Sequence, residues 1–177
     1  MTGYEADARG EVASGSGLMS PCYRSRVENM TNSEEPKPFA IELSRTAENR
    51  YVATNGKGGH IEFGRGDDLM SPVELLLAAI AGCSSIDVDT VTSRRTEPEN
   101  FTVTARSEKV TEDGDASRLG PITLNFDITF PDDEAGQRAT GMIERLVNLS
   151  HDKYCTVSRT VEHGTPVTFD VASGDDA

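Results

Sequence analysis

Two cysteines in unlike settings are the residues of this chain best suited to chemistry. Cys83 lies inside the apolar run SPVELLLAAIAGCSSIDV (71–88), and Cys155 lies 72 positions later in the polar segment LSHDKYCTVSRT. A thiol in the middle of a buried helix is normally inert, but a second thiol brought to it by the fold permits disulfide exchange and redox chemistry. The third cysteine, Cys22 in SPCYRSR, reads as an incidental exposed thiol. His151 and Cys155 stand at i and i+4, a spacing that could hold a metal on one helical face. A metal site needs two further ligands and no cluster supplies them, so a capping or surface role is expected for His151. His60 and His163 read as edge residues flanking strands. Asp87, at i+4 from Cys83, is expected in a polar contact across a dimer, the other possibility being that it points at the thiol and raises its pKa. Gly56, Gly58 and Gly59 do not form a phosphate loop, because no helix start follows them directly.

The composition narrows what such chemistry could serve. The chain has 177 residues, 30 acidic against 17 basic, and a formal net charge of -13. That balance argues against a nucleic-acid or anionic-membrane surface, since phosphate binding needs clustered Lys and Arg. The first thirty residues hold no continuous apolar segment and carry Glu5, Asp7 and Glu11, so no secretory signal is expected. No later run reaches eighteen apolar residues without interruption, and no membrane span is expected. An odd count of three cysteines does not look like a secreted disulfide framework. A soluble cytosolic protein is the expectation.

The elements that must position the thiols follow from patterning. Residues 1–36 mix Gly, Ser, Glu, Asn and Pro without period and read as a mobile tail or arm, leaving 37–177 as a single domain. FAIELSR (39–45), RYVAT (50–54) and HIEF (60–63) alternate and, with the Asn55-Gly56 turn, predict an antiparallel meander. Ser71, Pro72 and Glu74 predict a helix start with a capping box, and the residues after them, apolar on every face, predict a helix enclosed on all sides and running to Ser93. Arg94, Arg95 and Pro98 then supply a basic end and a stop. Two long strands, 100–110 and 122–130, are expected as a second hairpin. A helix follows over 134–149, then a short turn carrying Cys155, then a last strand over 166–171. The order fits an α+β fold with antiparallel sheet, and a helix apolar all round needs more cover than one small sheet gives. An intertwined homodimer is the simplest way to supply it.

The pairing of SPVELLLAAIAGC with the later KYCTVSRTV resembles the OsmC and Ohr family, and most closely its YhfA-like branch, over about residues 38–172. The resemblance implies an obligate homodimer in which two long buried helices cross at the centre and antiparallel strands wrap each of them. It also implies reduction of organic hydroperoxides with no cofactor, with Cys83 as the peroxidatic and Cys155 as the resolving thiol. An external dithiol, lipoyl or thioredoxin-like, would restore both. In the family a glutamate and an arginine keep the first thiol ionised. The glutamate position, ten residues before the first cysteine, is Val73 here. The neighbouring Glu74, kept as the candidate carboxylate of the site, is one residue, about 100 degrees, round the helix, and the capping box also gives it a role. Two arginines are candidates: Arg50 resembles the loop arginine of the Ohr branch, and Arg65 stands nearer the place used by the OsmC branch. The competing reading is a weakly reactive dimer that binds a small apolar ligand, which Val73 favours.

Overall fold

The computed structural model describes residues 36–171. The chain divides into the units Met1–Ala40 and Ile41–Ala177, and the fold is that of the second. The expected N-terminal tail and Cys22 lie outside the described residues.

Three strands, β1 (Ile41–Ala47), β2 (Arg50–Asn55) and β3 (His60–Gly64), form the predicted antiparallel meander in the order β1-β2-β3. Leu43 sits opposite Ala53, and Ala53 opposite Ile61. The Asn55 side chain accepts from Lys57 N–H and Gly59 N–H, both at 2.9 Å, and so builds the β2–β3 turn from its own first residue.

Helix α1 (Pro72–Thr92) begins as the sequence requires: Ser71 Oγ accepts from Glu74 N–H at 3.3 Å and Glu74 Oε2 accepts from Ser71 N–H at 2.7 Å. The enclosure expected from its composition is not found within one chain. Only Ile80, Ser84, Val88 and Thr92, one turn apart along a single stripe, are buried, whereas Val73, Leu76 and Ile86 are exposed. A helix apolar on all faces buries in one chain only the face that meets that chain. By length and composition alone α1 could cross a membrane, although Asp87 and Asp89 interrupt it and it packs on the chain's own strand Asn100–Arg106 and on the helical segments Ile143–Leu149, Ser150–Tyr154 and Thr156–Glu162.

The second hairpin is divided. β4 (Asn100–Arg106) pairs with β7 (Thr123–Thr129), and the short β5 (Lys109–Thr111) and β6 (Ser117–Leu119) pair as a separate outer ribbon. The predicted helix over 134–149 is two: α2 (Glu134–Thr140), capped by Asp133, and α3 (Ile143–Leu149), separated at Gly141 and Met142. Gly136 is fixed by sterics, since a Cβ there would lie 1.9 Å from the Pro131 carbonyl oxygen. A π turn (Ser150–Tyr154) and α4 (Thr156–Glu162) complete the helices. The last predicted strand does not form. Residues 166–171 pair with no strand among the described residues, and Val167, Phe169 and Val171 stand exposed. Alternation makes a segment fit to be a strand, but only a free sheet edge makes it one.

Candidate functional site

The two cysteines far apart in sequence meet. α1 carries Cys83 on the turn between the buried Ile80 and Ser84, and the π turn delivers Cys155 to the head of α4, where it is the capping residue. Both are free thiols. Cys155 is 0% exposed and Cys83 is half-buried. Each thiol acts directly on the ionisation of the other.

Their surroundings push them in opposite directions. Burial raises the Cys83 thiol; the Val157 N–H that reaches it works the other way, while the Cys155 sulfur and the Asp87 carboxylate raise it further. The net effect on Cys83 is upward. Burial also acts to raise Cys155, but hydrogen bonding from the Ser158 hydroxyl, the Ser84 hydroxyl, the Ser158 N–H and the Cys83 thiol outweighs it, and Cys155 is lowered. The Ser158 contacts measure 3.1 Å from Oγ and 3.4 Å from N to Cys155 Sγ. A negative sulfur is therefore better held at Cys155 than at Cys83.

Asp87 does not wait for a dimer contact. Its Oδ2 accepts from Ser150 Oγ at 2.6 Å, tying α1 to the buried start of the π turn. Glu74 is engaged in the capping box, and those bonds hold its carboxyl below the usual range. Val73, at the position where the family has its glutamate, is 51% exposed. Arg50 donates to Asp68 Oδ2 at 2.6 Å and lies 3.8 Å from Glu62 Oε1. The hydrogen bond to Asp68 raises the guanidinium and lowers the carboxylate. Arg65 is exposed and its N–H bonds the Asn49 carbonyl at 2.9 Å. Neither arginine, nor Glu74, is among the groups acting on the Cys83 thiol within one chain. His151 lies 3.6 Å from Glu162 Oε1, and His163 caps the end of α4 and flanks no strand. Ser84 and Ser158, which hold Cys155, are the site residues that sequence reasoning missed. Ser158 stands three residues after a capping residue, the spacing of an ordinary helix cap, and was open to recognition on that ground.

Ser84 and Ser158 also line an open cavity of about 880 Å³ whose apolar wall includes Leu76, Ile80, Leu124, Phe126 and Val161. Fold and site together define an α+β protein with an antiparallel meander, a long helix and a two-thiol centre between helices. The model of the OsmC-like protein family matches residues 64–170. The chain belongs to that family. It is 34% identical over 128 residues to protein YhfA of Escherichia coli K12, covering 71% of this chain and 84% of that one. It is 29% identical to an uncharacterized protein of Mycobacterium tuberculosis, over 73% of this chain and 93% of the relative. Among solved structures, a hypothetical protein from Aquifex aeolicus superposes with a TM-score of 0.58 at 23% identity, over 73% of this chain and 91% of the other. An OsmC-like protein from Mycoplasma pneumoniae gives 0.57 at 15% identity over the same shares. These likenesses establish the OsmC-like α+β fold.

Proposed function

We propose that this protein reduces organic hydroperoxides with the Cys83–Cys155 pair, working as a homodimer. The single observation that carries the reading is that the fold packs α1, which bears Cys83, against α4, which the buried Cys155 heads, across 72 positions of sequence. Cys83, the more accessible sulfur, attacks the terminal peroxide oxygen. The O–O bond breaks, the alkoxide leaves and is protonated to the alcohol, and Cys83 becomes a sulfenic acid. Cys155 then attacks Cys83 Sγ as the thiolate, expels hydroxide and closes the disulfide. Its lowered pKa suits that second step. The first step needs a cation at Cys83, and in this reading Arg50 or Arg65 of the second subunit provides it. The cavity is lined by Ser84 and Ser158, neighbours of the cysteines, and not by the sulfurs themselves; its apolar wall offers burial to the tail of an alkyl hydroperoxide and none to hydrogen peroxide. An external dithiol returns both cysteines to thiols.

A second reading is favoured by the exposed Val73 and by the upward push on Cys83: a weakly reactive dimer in which the same cavity binds a small apolar ligand. One experiment separates the two. Reduced protein receives one equivalent of cumene hydroperoxide, and the remaining thiols are counted in wild type, Cys83→Ser and Cys155→Ser. The peroxidase loses two thiols within minutes, and Cys83→Ser loses none. Retention of every thiol in wild type leaves the ligand-binding reading.

A further inference from the structure

Once joined, the two sulfurs are not equivalent, and the difference sets the direction in which their disulfide is opened. Cys155 is completely buried, with Ser158 Oγ at 3.1 Å and Ser158 N at 3.4 Å. The Ser84 hydroxyl acts on the same sulfur from α1. Cys83 is half-buried and has no hydroxyl among the groups acting on it, only the Val157 N–H and, opposing, the Asp87 carboxylate. We infer that Ser158, assisted by Ser84, is a positioning residue that makes Cys155 the leaving sulfur when the Cys83–Cys155 disulfide is reduced, so that the incoming small dithiol bonds to Cys83. The inference rests on the disulfide chemistry of the proposed function.

The exchange balances as follows. A thiolate of the dithiol attacks Cys83 Sγ, a new S–S bond forms there, and the Cys83–Cys155 bond breaks with its electron pair left on Cys155 Sγ. The second thiol of the reductant then attacks its own first sulfur, releasing Cys83 as thiolate and leaving the reductant as a cyclic disulfide. Two features of the site favour this direction. The sulfur that better holds negative charge leaves faster, and the Ser158 hydroxyl and amide hold it at Cys155. Attack must also come in line with the bond, and an attacker at Cys155 would have to enter a site with no exposed surface. The Asp87 carboxylate opposes an anion arriving at Cys83, but it opposes equally the charge that the reverse direction would leave on that sulfur.

The test begins from protein oxidised with diamide, so that no peroxide is involved. Oxidised protein is treated with limiting glutathione as a monothiol probe, quenched in acid, alkylated in denaturant and mapped by mass spectrometry. The adduct is expected on Cys83 in about tenfold excess over Cys155. Ser158→Ala slows reduction by about threefold to tenfold, the effect of one lost charge-assisted hydrogen bond on a leaving thiol, and moves adduct toward Cys155. Ser158→Thr, which keeps a hydroxyl, restores both rate and partition, and Ser84→Ala shifts the partition in the same direction as Ser158→Ala. Adduct mainly on Cys155, or a partition indifferent to both alanine variants, overturns the inference. If diamide makes the disulfide and cumene hydroperoxide does not, the peroxidase reading fails while the direction of opening is still measured. If neither oxidant makes it, both fail.

Discussion

Asp87 shows one carboxylate acting in two ways at the residue scale. It accepts from the buried Ser150 hydroxyl at 2.6 Å, and its charge raises the neighbouring Cys83 thiol. Asp87→Asn keeps an acceptor for Ser150 and removes the charge, so Cys83 ionises at lower pH. The alkylation rate of Cys83, followed with bromobimane in a Cys155→Ser background, is expected to rise a few-fold at neutral pH and its profile to move to lower pH. Asp87→Ala leaves the Ser150 hydroxyl buried without its partner and costs about 1–3 kcal/mol, read in urea unfolding. An unchanged pH profile in Asp87→Asn removes the charge argument. This link joins residues 63 apart, and the Arg50–Asp68 pair joins residues 18 apart. Neither spacing leaves a periodic trace in the sequence, which is why the Ser150 partner of Asp87 and the Asp68 partner of Arg50 are not legible there. The capping box of Ser71 and Glu74 spans three residues, and there the chain itself brings the partners together.

The start of α1 is the element whose energetics are most open to measurement. Ser71→Ala removes the acceptor for Glu74 N–H and is expected to cost about 1 kcal/mol of stability. The Glu74 carboxyl is held below its ordinary value by the Ser71 amide and hydroxyl. Its contribution is therefore present in full above the unfolded pKa and is lost as pH falls through the lower folded one. Melting temperatures of wild type and Glu74→Ala should differ at neutral pH and converge in acid, whereas the Ser71→Ala difference, which rests on the Glu74 N–H, persists there; a Glu74→Ala difference undiminished in acid speaks against the carboxylate's part in the cap. The pattern of this element was legible because a cap, a first-turn proline and an apolar run agree. The helix over 134–149 was not, because its apolar stripe continues through a break at Gly141 and Met142 that the period alone does not mark. The last strand failed for another reason: PVTFDV alternates correctly, but pairing depends on an edge that local sequence does not specify.

For the whole molecule the exposed apolar side chains carry the argument. Ile41 and Leu43 on β1, Leu76 and Ile86 on α1, and Val167 and Phe169 near the end stand exposed in one chain, Ile86 at 66% and Phe169 at 87%. So extended an apolar surface is what a second copy would cover in the proposed homodimer. Each copy also brings a net charge of -13, so the two attract through apolar area and repel through their fields. Repulsion between exposed charges falls as salt shortens the Debye length from about 30 Å at 0.01 M to about 3 Å at 1 M, while apolar burial does not weaken. The dimer should therefore tighten as sodium chloride is raised, the reverse of an interface built on ion pairs. Sedimentation equilibrium of the full chain is expected to give twice the chain mass at high salt and a measurable share of monomer at low salt. Ile86→Arg should shift that balance toward monomer at every salt concentration, since it places a cation on an apolar helix face at the contact. If dimer formation weakens with salt, or if Ile86→Arg leaves the mass unchanged, α1 is not the face on which the copies meet.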